Sequence, residues 1–462
     1  MNMINVRRLA VMTFLGAGML SDISAQDFSL QADTLNEARL PAQWDLQSCI
    51  DYALEQNITI RKNRVTAEST QIDVKTAKAA LFPSLSFSTS QQVVNRPYQE
   101  TSSRVSGSEI ISSNSKTSYN GNYGLNASWT IYNGSKRLKT LKQERLNNQV
   151  AELDVATSEN TIKESIAQIY IQILYAAESV RVNENTLQVS IAQRDRGQEL
   201  LNAGSIAKSD FAQLEAQVST DRYQLVTAQA TLQDYKLQLK QLLELDGENE
   251  MNVYLSDENV LAPLPAKKDV YVSALAIRPE IEASKLNVEA SELGIDIAKS
   301  SYFPTISLSA GIGTNHTSGS DFTFGEQVKN GWNNSIGLSV SVPIFNNRQT
   351  KSAVQKAKLQ RETNMLSLLD EQKALYKTIE SLWLDANSAQ QRYAAANEKL
   401  RSTQISYDLI SEQFNLGMKN TVELLTEKNN LLQAQQEQLQ AKYMAILNTQ
   451  LLKFYQGDKL TL

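Results

Sequence analysis

Two stretches of the chain alternate between apolar and small polar residues, and each runs directly into a long helical pattern. In the later stretch Trp332, Asn334, Ile336, Leu338, Val340, Val342 and Ile344 form one face, against Asn333, Ser335, Gly337, Ser339 and Ser341 on the other. Strands of soluble sheets average about five or six residues, whereas a tilted strand crossing a bilayer needs about nine to eleven. The length predicts a membrane strand. In the earlier stretch Tyr119, Gly121, Tyr123, Leu125, Ala127, Trp129 and Ile131 oppose Asn120, Asn122, Gly124, Asn126, Ser128 and Thr130. Upstream of it, Phe82-Pro83 stops a helix, and Leu85, Phe87 and Thr89 alternate with serines to begin the partner strand. The serine-rich segment from about Asn95 to Thr117 reads as a long solvated loop.

Beyond Pro343-Ile344-Phe345-Asn346-Asn347 the period changes. Leu368, Leu375, Ile379, Leu382, Ala386, Ala389, Tyr393, Ala396, Leu400, Tyr407, Ile410 and Phe414 follow alternating steps of three and four, with Gln372 and Thr403 at the polar steps. That is a coiled-coil seam. A helix from Asn347 to Leu416 would be about 100 Å long, so other helices must lie along it. Past Gly204, Phe211, Val218, Leu225, Leu232 and Leu239 recur every seven residues; past Gly417, Leu425, Leu432, Leu439 and Ile446 do the same.

These patterns occur twice. Gly204 and Gly417 are 213 apart, as are Ile131 and Ile344, whereas Phe82 and Phe303 are 221 apart, as are Leu54 and Leu275. The eight-residue difference falls within the hairpins, where insertion is tolerated. Ile166, Ile169, Ile173, Ala176, Val180 and Leu187 repeat the seam at the 213 offset. The chain therefore reads as an internal two-fold repeat. Residues 26–250 form the first repeat, with helices over about 45–81, a hairpin over about 83–132, a long helix, the Gly204 turn and a returning helix. Residues 267–462 form the second, with helices over about 269–302, a hairpin over about 304–345, and a long helix, the Gly417 turn and a returning helix. A connection over 246–268, with Gly247, Pro263 and Pro265, joins them. Ahead of both, residues 1–25 read as a signal peptide: Arg7 and Arg8, an apolar run from Leu9 to Leu20, and small-residue cleavage at Ala25 before Gln26. No cysteine stands at the cleavage site, where Gln26 begins the mature chain, so no lipid anchor is expected.

The composition narrows the function. A net charge of −5 with Lys and Arg spread along helix faces gives no nucleic-acid footprint. Cys49 is the only cysteine and His316 the only histidine, which excludes metal sites built from these residues. Cys49 lies on an apolar helix face and reads as structural; His316, in a Gly/Ser/Thr-rich segment, reads as a surface loop residue. With no nucleophile with a histidine partner, phosphate loop or metal-ligand cluster, an enzyme is the weakest candidate, and no catalytic role or cofactor is expected. Four strands cannot close a membrane barrel, whose smallest form has about eight, so several copies must share one. The charged helices must project from one side as a coiled cylinder.

The chain at this point resembles the TolC family of outer-membrane efflux proteins. The resemblance is carried by Leu81-Phe82-Pro83-Ser84-Leu85 and Tyr302-Phe303-Pro304-Thr305-Ile306, by Trp129-Thr130-Ile131-Tyr132-Asn133-Gly134 and Val342-Pro343-Ile344-Phe345-Asn346, by Arg278-Pro279-Glu280, and by the Gly204 and Gly417 turns. It implies a homotrimer sharing a twelve-stranded barrel in the outer membrane of a Gram-negative bacterium, continuous with a periplasmic helical tunnel. The implied function is the exit duct of a tripartite pump, exporting small molecules such as drugs with a periplasmic adaptor and an inner-membrane transporter. A type I protein-secretion outlet of the same fold and a non-channel surface coiled-coil protein remain alternatives. The resemblance also implies a gate and adaptor contact at the two turns. Asp210 and Glu423, six residues past each glycine, match the family's entrance acids, and Lys419 stands where the family carries an arginine bonding across to the first acid. Lysine lacks that two-pronged geometry. Phe414 stands where a tyrosine is expected and Thr426 where a second acid could sit, so the entrance ring is expected to hold one carboxylate per subunit instead of two.

Overall fold

The computed structural model describes residues 44–98, 102–106, 109–113, 116–246, 263–318, 320 and 322–460. The signal segment and the connection between 247 and 262 lie outside the described residues. Helix α1 (Leu46–Gln56) starts where the Asp45 carboxylate accepts the Ser48 N–H at 2.7 Å. Asn57 ends α1 and caps α2 (Ile58–Ala79) by accepting the Thr59 N–H, so one residue makes the break. Strands β1 (Ser84–Asn95), β2 (Ser102–Ser106), β3 (Glu109–Ser113) and β4 (Thr117–Asn133) follow. Then come α3 (Lys136–Asn202) and α4 (Lys208–Leu242), a short α5 (Lys267–Ile277) and α6 (Pro279–Ser300). Strand β5 (Thr305–Thr317), helix α7 (Phe324–Asn330), strand β6 (Asn333–Ser341) and helices α8 (Gln349–Asn415) and α9 (Thr421–Gln456) complete the chain. Leu46 and Lys267, Ile58 and Pro279, and Ser84 and Thr305 open corresponding elements 221 residues apart. Lys136 and Gln349, and Lys208 and Thr421, do so 213 apart.

Helices α3 and α8 have 67 residues each, about 100 Å. They hold because α4 returns along α3 and α9 along α8. Leu375, Ile379, Ala386, Ala389, Ala396 and Phe414 of the predicted seam are buried and its remaining apolar members half-buried. Away from the turns, Val270, Ala274, Ile281, Leu375, Ile379 and Leu452 pack one core from α5, α6, α8 and α9. Beside it, buried Arg278 caps α6, its guanidinium 2.8 Å from Glu164 of α3 and 3.6 Å over the Tyr455 ring. Cys49 is fully buried, as its apolar face requires.

Burial pushes the hydroxyls of Tyr443 and Tyr455 from the usual 10.0 up to about 12. A raised folded value gives stability that is complete below pH 10 and lost as pH rises through about 12. Alkaline titration followed by circular dichroism should keep the helical signal to about pH 10 and lose it over the next two units; a loss beginning well below pH 10 would contradict this role for the two tyrosines.

The sheet runs β1-β4-β5-β6, all antiparallel. Its register aligns Leu85, Ala127, Ala310 and Ile336 in one cross-strand row and Ser84, Ser128, Ser309 and Gly337 in the adjacent one, so apolar residues share one face and small polar residues the other. The apolar face is bare within one chain: Phe87 is 68% exposed and Ile336 is 83% exposed. A bulge between Thr130 and Tyr132 sets Tyr132 opposite Ile306, which breaks the alternation at Ile131.

Four expectations are corrected. The segment from Asn95 to Thr117 is not simply a loop, since β2 and β3 pair within it; alternation is too weak across its serines to announce a ladder. The second hairpin is not only two strands and a turn, since helix α7 lies within it, beginning at the Thr323 and Glu326 capping box. Strand β6 stops at Ser341 rather than reaching Ile344, because Pro343 has no N–H for the ladder. His316 is a strand residue, half-buried, stacked 6.0 Å from Tyr123 and edge-on to Phe324 of α7 at 5.1 Å.

Candidate functional site

The turn from α3 to α4 and the turn from α8 to α9 have the same construction. Gly204 and Gly417 adopt φ of 74° and 73°. The N–H of Ser205 bonds back to the Leu200 carbonyl at 2.8 Å and that of Met418 to the Gln413 carbonyl at 2.9 Å. This is a Schellman closure, and glycine supplies its left-handed residue without strain. A Cβ at either glycine would meet nothing within 4 Å, so glycine is required there by conformation and not by crowding.

The charged residues after each glycine are used differently. In the second turn Asn420 and Glu423 form a reciprocal capping box: Asn420 accepts the Glu423 N–H at 2.9 Å and Glu423 accepts the Asn420 N–H at 3.2 Å. Lys419 adds an ion pair to Glu423 at 2.5 Å. The Lys419 hydrogen bond, followed by the Asn420 N–H, holds the Glu423 carboxyl below the usual carboxylate range. In the first turn Asp210 accepts the Ala207 N–H at 3.3 Å, and Ala207 has no side-chain acceptor to return the bond. Asp210 and Lys419 are not bonded to each other among the described residues of one chain. Phe414 is buried in the last turn of α8, while exposed Thr426 donates to the Val422 carbonyl at 2.8 Å. Leu416 and Met418 are exposed beside Gly417, at 70% and 71%.

Four turns or so behind these tips lies a cluster that the residue patterns did not single out. Lys428 of α9 bonds both Ser190 of α3 and Asp221 of α4, Ser190 donates to Asp221, and Gln217 donates to the second Asp221 oxygen at 2.8 Å. Ser190, Asp221 and Lys428 are all buried. Burial pushes the Lys428 ammonium down, against the Asp221 bond and charge that raise it. A signal was present in the sequence: Asp221 and Lys428 each stand three residues after a seam position, Val218 and Leu425, where an apolar residue belongs.

A family model described as "Outer membrane efflux protein" matches residues 49–244 and 270–457. The outer membrane efflux protein BepC of Brucella suis biovar 1 (strain 1330) is 24% identical over 290 residues, 63% of this chain and 61% of that protein. The outer membrane protein TolC of Escherichia coli (strain K12) is 24% identical over 338 residues, 70% and 66% of the two chains. The match to these two relatives thus spans less than two thirds of their length. Among solved structures, CusC superposes with a TM-score of 0.77 at 19% identity, over 91% of this chain and 94% of that one. At that identity the likeness speaks for the fold alone.

Proposed function

The chain belongs to the outer membrane efflux protein family, and from that premise we propose that it is the outer-membrane exit duct of a tripartite pump, passing small molecules such as drugs to the exterior. The observation that carries this reading is the sheet. Its apolar face is exposed within one chain, and its edge strands β1 and β6 each have a single partner. Hydrocarbon tolerates neither an open edge nor a barrel of four strands. Three copies, each joining its β1 to the next chain's β6, close a barrel of twelve strands, with the apolar rows facing lipid and the Ser, Asn and Gly rows lining the passage. The internal two-fold repeat, a halving near 246–268, and the outer-membrane location of the sheet with helices in the periplasm belong to the same reading. So do the partners, a periplasmic adaptor and an inner-membrane transporter.

The turns supply the tunnel entrance. Exposed Leu416 and Met418 offer the adaptor an apolar contact beside Gly417, with Gly204 at the companion tip. Lys419 either stays on its own Glu423 or reaches Asp210 of a neighbouring copy, and exchange between these carboxylates makes a weak latch, since exposed ion pairs are worth about 0–1 kcal/mol. Phe414 and Thr426 add no further charge to the ring.

Single-channel conductance in a planar bilayer tests both parts. Wild-type protein is expected to give small, flickering openings, and Lys419→Ala larger and longer ones. A wide-open wild type unaffected by the substitution removes the latch and keeps the duct. Assembled oligomers without conductance would remove the duct and favour a surface coiled coil.

A further inference from the structure

Heptad seams carry an ambiguity of register. Phe211, Val218, Leu225, Leu232 and Leu239 on α4, and Leu425, Leu432, Leu439 and Ile446 on α9, present similar apolar steps every seven residues. Sliding one helical hairpin past the other by one heptad, about 10 Å, would again set apolar residues against apolar residues. Such a slide would leave the Gly204 and Gly417 turns at different levels.

We infer that the buried Ser190, Asp221 and Lys428 cluster is the pin that fixes the axial register of the α8–α9 hairpin on the α3–α4 hairpin. Its three members come from three helices and from both halves of the chain. Among the described residues it is the ion pair that buries both partners, at 4% and 1% side-chain exposure. One heptad along α4 from Asp221 stand Leu214 and Ala228, and along α3 from Ser190 stand Asn183 and Gly197. A slipped Lys428 would therefore lose its carboxylate and leave Asp221 buried without a cation. Uncompensated buried charge is strongly disfavoured, and a single polar residue in an apolar seam is the best attested device for fixing register. The cluster is also asymmetric. The positions 213 residues from Lys428, Asp221 and Ser190 hold Glu215, Ala434 and Thr403, so the equivalent pairing cannot form with the halves exchanged. Gln193, one turn from Ser190, adds a hydrogen bond to Tyr407 of α8 at 2.8 Å on the same level.

Spin labels at Ser205 and Met418, one in each exposed turn, read the register directly, with labelled chains diluted into unlabelled protein. Cys49 does not compete for label, being buried with its thiol pushed up to about 12. Wild-type protein is expected to give one distance. The apolar triple variant Ser190→Ala, Asp221→Leu, Lys428→Met should melt no lower than wild type and yet show a second distance population corresponding to a slide of about 10 Å. Exchanging the charges, Asp221→Lys with Lys428→Asp, should restore one distance. If the triple variant does not assemble, Asp221→Asn, which keeps the shape and loses the charge, should broaden the distribution. A single wild-type distance in every variant that folds would overturn the pin.

Discussion

Replacing Gly134 with alanine should destabilise the protein by about 2–5 kcal/mol, more than the same change at Gly204. Gly134 sits at the junction where β4 becomes α3, with φ of 68°, and its carbonyl accepts the Ser300 hydroxyl at 2.8 Å. A left-handed conformation costs an ordinary residue about 1–2 kcal/mol. At Gly134 a Cβ would also lie 2.6 Å from the Ser300 carbonyl oxygen and 3.0 Å from Phe303 Cβ. Backbone cannot swing aside as a flexible side chain can, so overpacking adds about 1–3 kcal/mol. Gly204 has a similar φ of 74° with nothing within 4 Å of its Cβ position, and so isolates the conformational part. Thermal unfolding of the two variants in detergent measures the difference. Equal losses would mean that the close approach of the junction to the end of α6 has no energetic weight.

Arg278→Met should cost about 3–5 kcal/mol, as removal of one partner of a buried ion pair does. The guanidinium is 5% exposed, bonded to Glu164 at 2.8 Å, 3.8 Å from Glu280, and stacked on Tyr455 and Phe454. Methionine fills much of the volume and leaves two half-buried carboxylates facing each other across it. Arg278→Lys should recover little, because an ammonium cannot lie flat on the Tyr455 ring while bonding Glu164 from its edge. Adding Glu164→Gln to Arg278→Met should return part of the loss. A double-mutant cycle on melting data reads that coupling, and additive losses would show that Glu164 does not depend on the arginine.

How far the sequence could be read depends on which interaction decides each element. The long helices were legible because their seams have a strong period and lack proline, and the four long strands because alternation over membrane length is rare by chance. The end of β6 followed one proline, whose missing N–H outranked the apolar pattern through Val342 and Ile344. His316 reads as a loop residue because its neighbours are Gly, Ser and Thr, while its place is set by Tyr123 on β4 and Phe324 on α7, contacts remote or unannounced in sequence. At the turns, glycine spacing revealed both closures. Within the chain Lys419 pairs one turn along with Glu423, a contact of helical spacing that the resemblance, which points across to Asp210, does not announce. Lys428 does not stand out in the sequence because a charge on a long helix usually marks a solvated face; only its position in the seam distinguishes it.

The strand order also governs when the sheet can form. Its central ladder pairs β4 with β5, and the whole first helical hairpin lies between them in the chain. A two-stranded hairpin alone is marginal in water, and closing so long a segment costs entropy before the ladder returns any of it. Helices, by contrast, form from local contacts within microseconds. Docking α6 along α3 sets Gly134 against Ser300, which brings the end of β4 and the start of β5 together before the ladder between them has formed. The helical part is thus a jig for the sheet, and in the proposed barrel no copy has a β6 edge to offer the next until its chain has been delivered through Ser341.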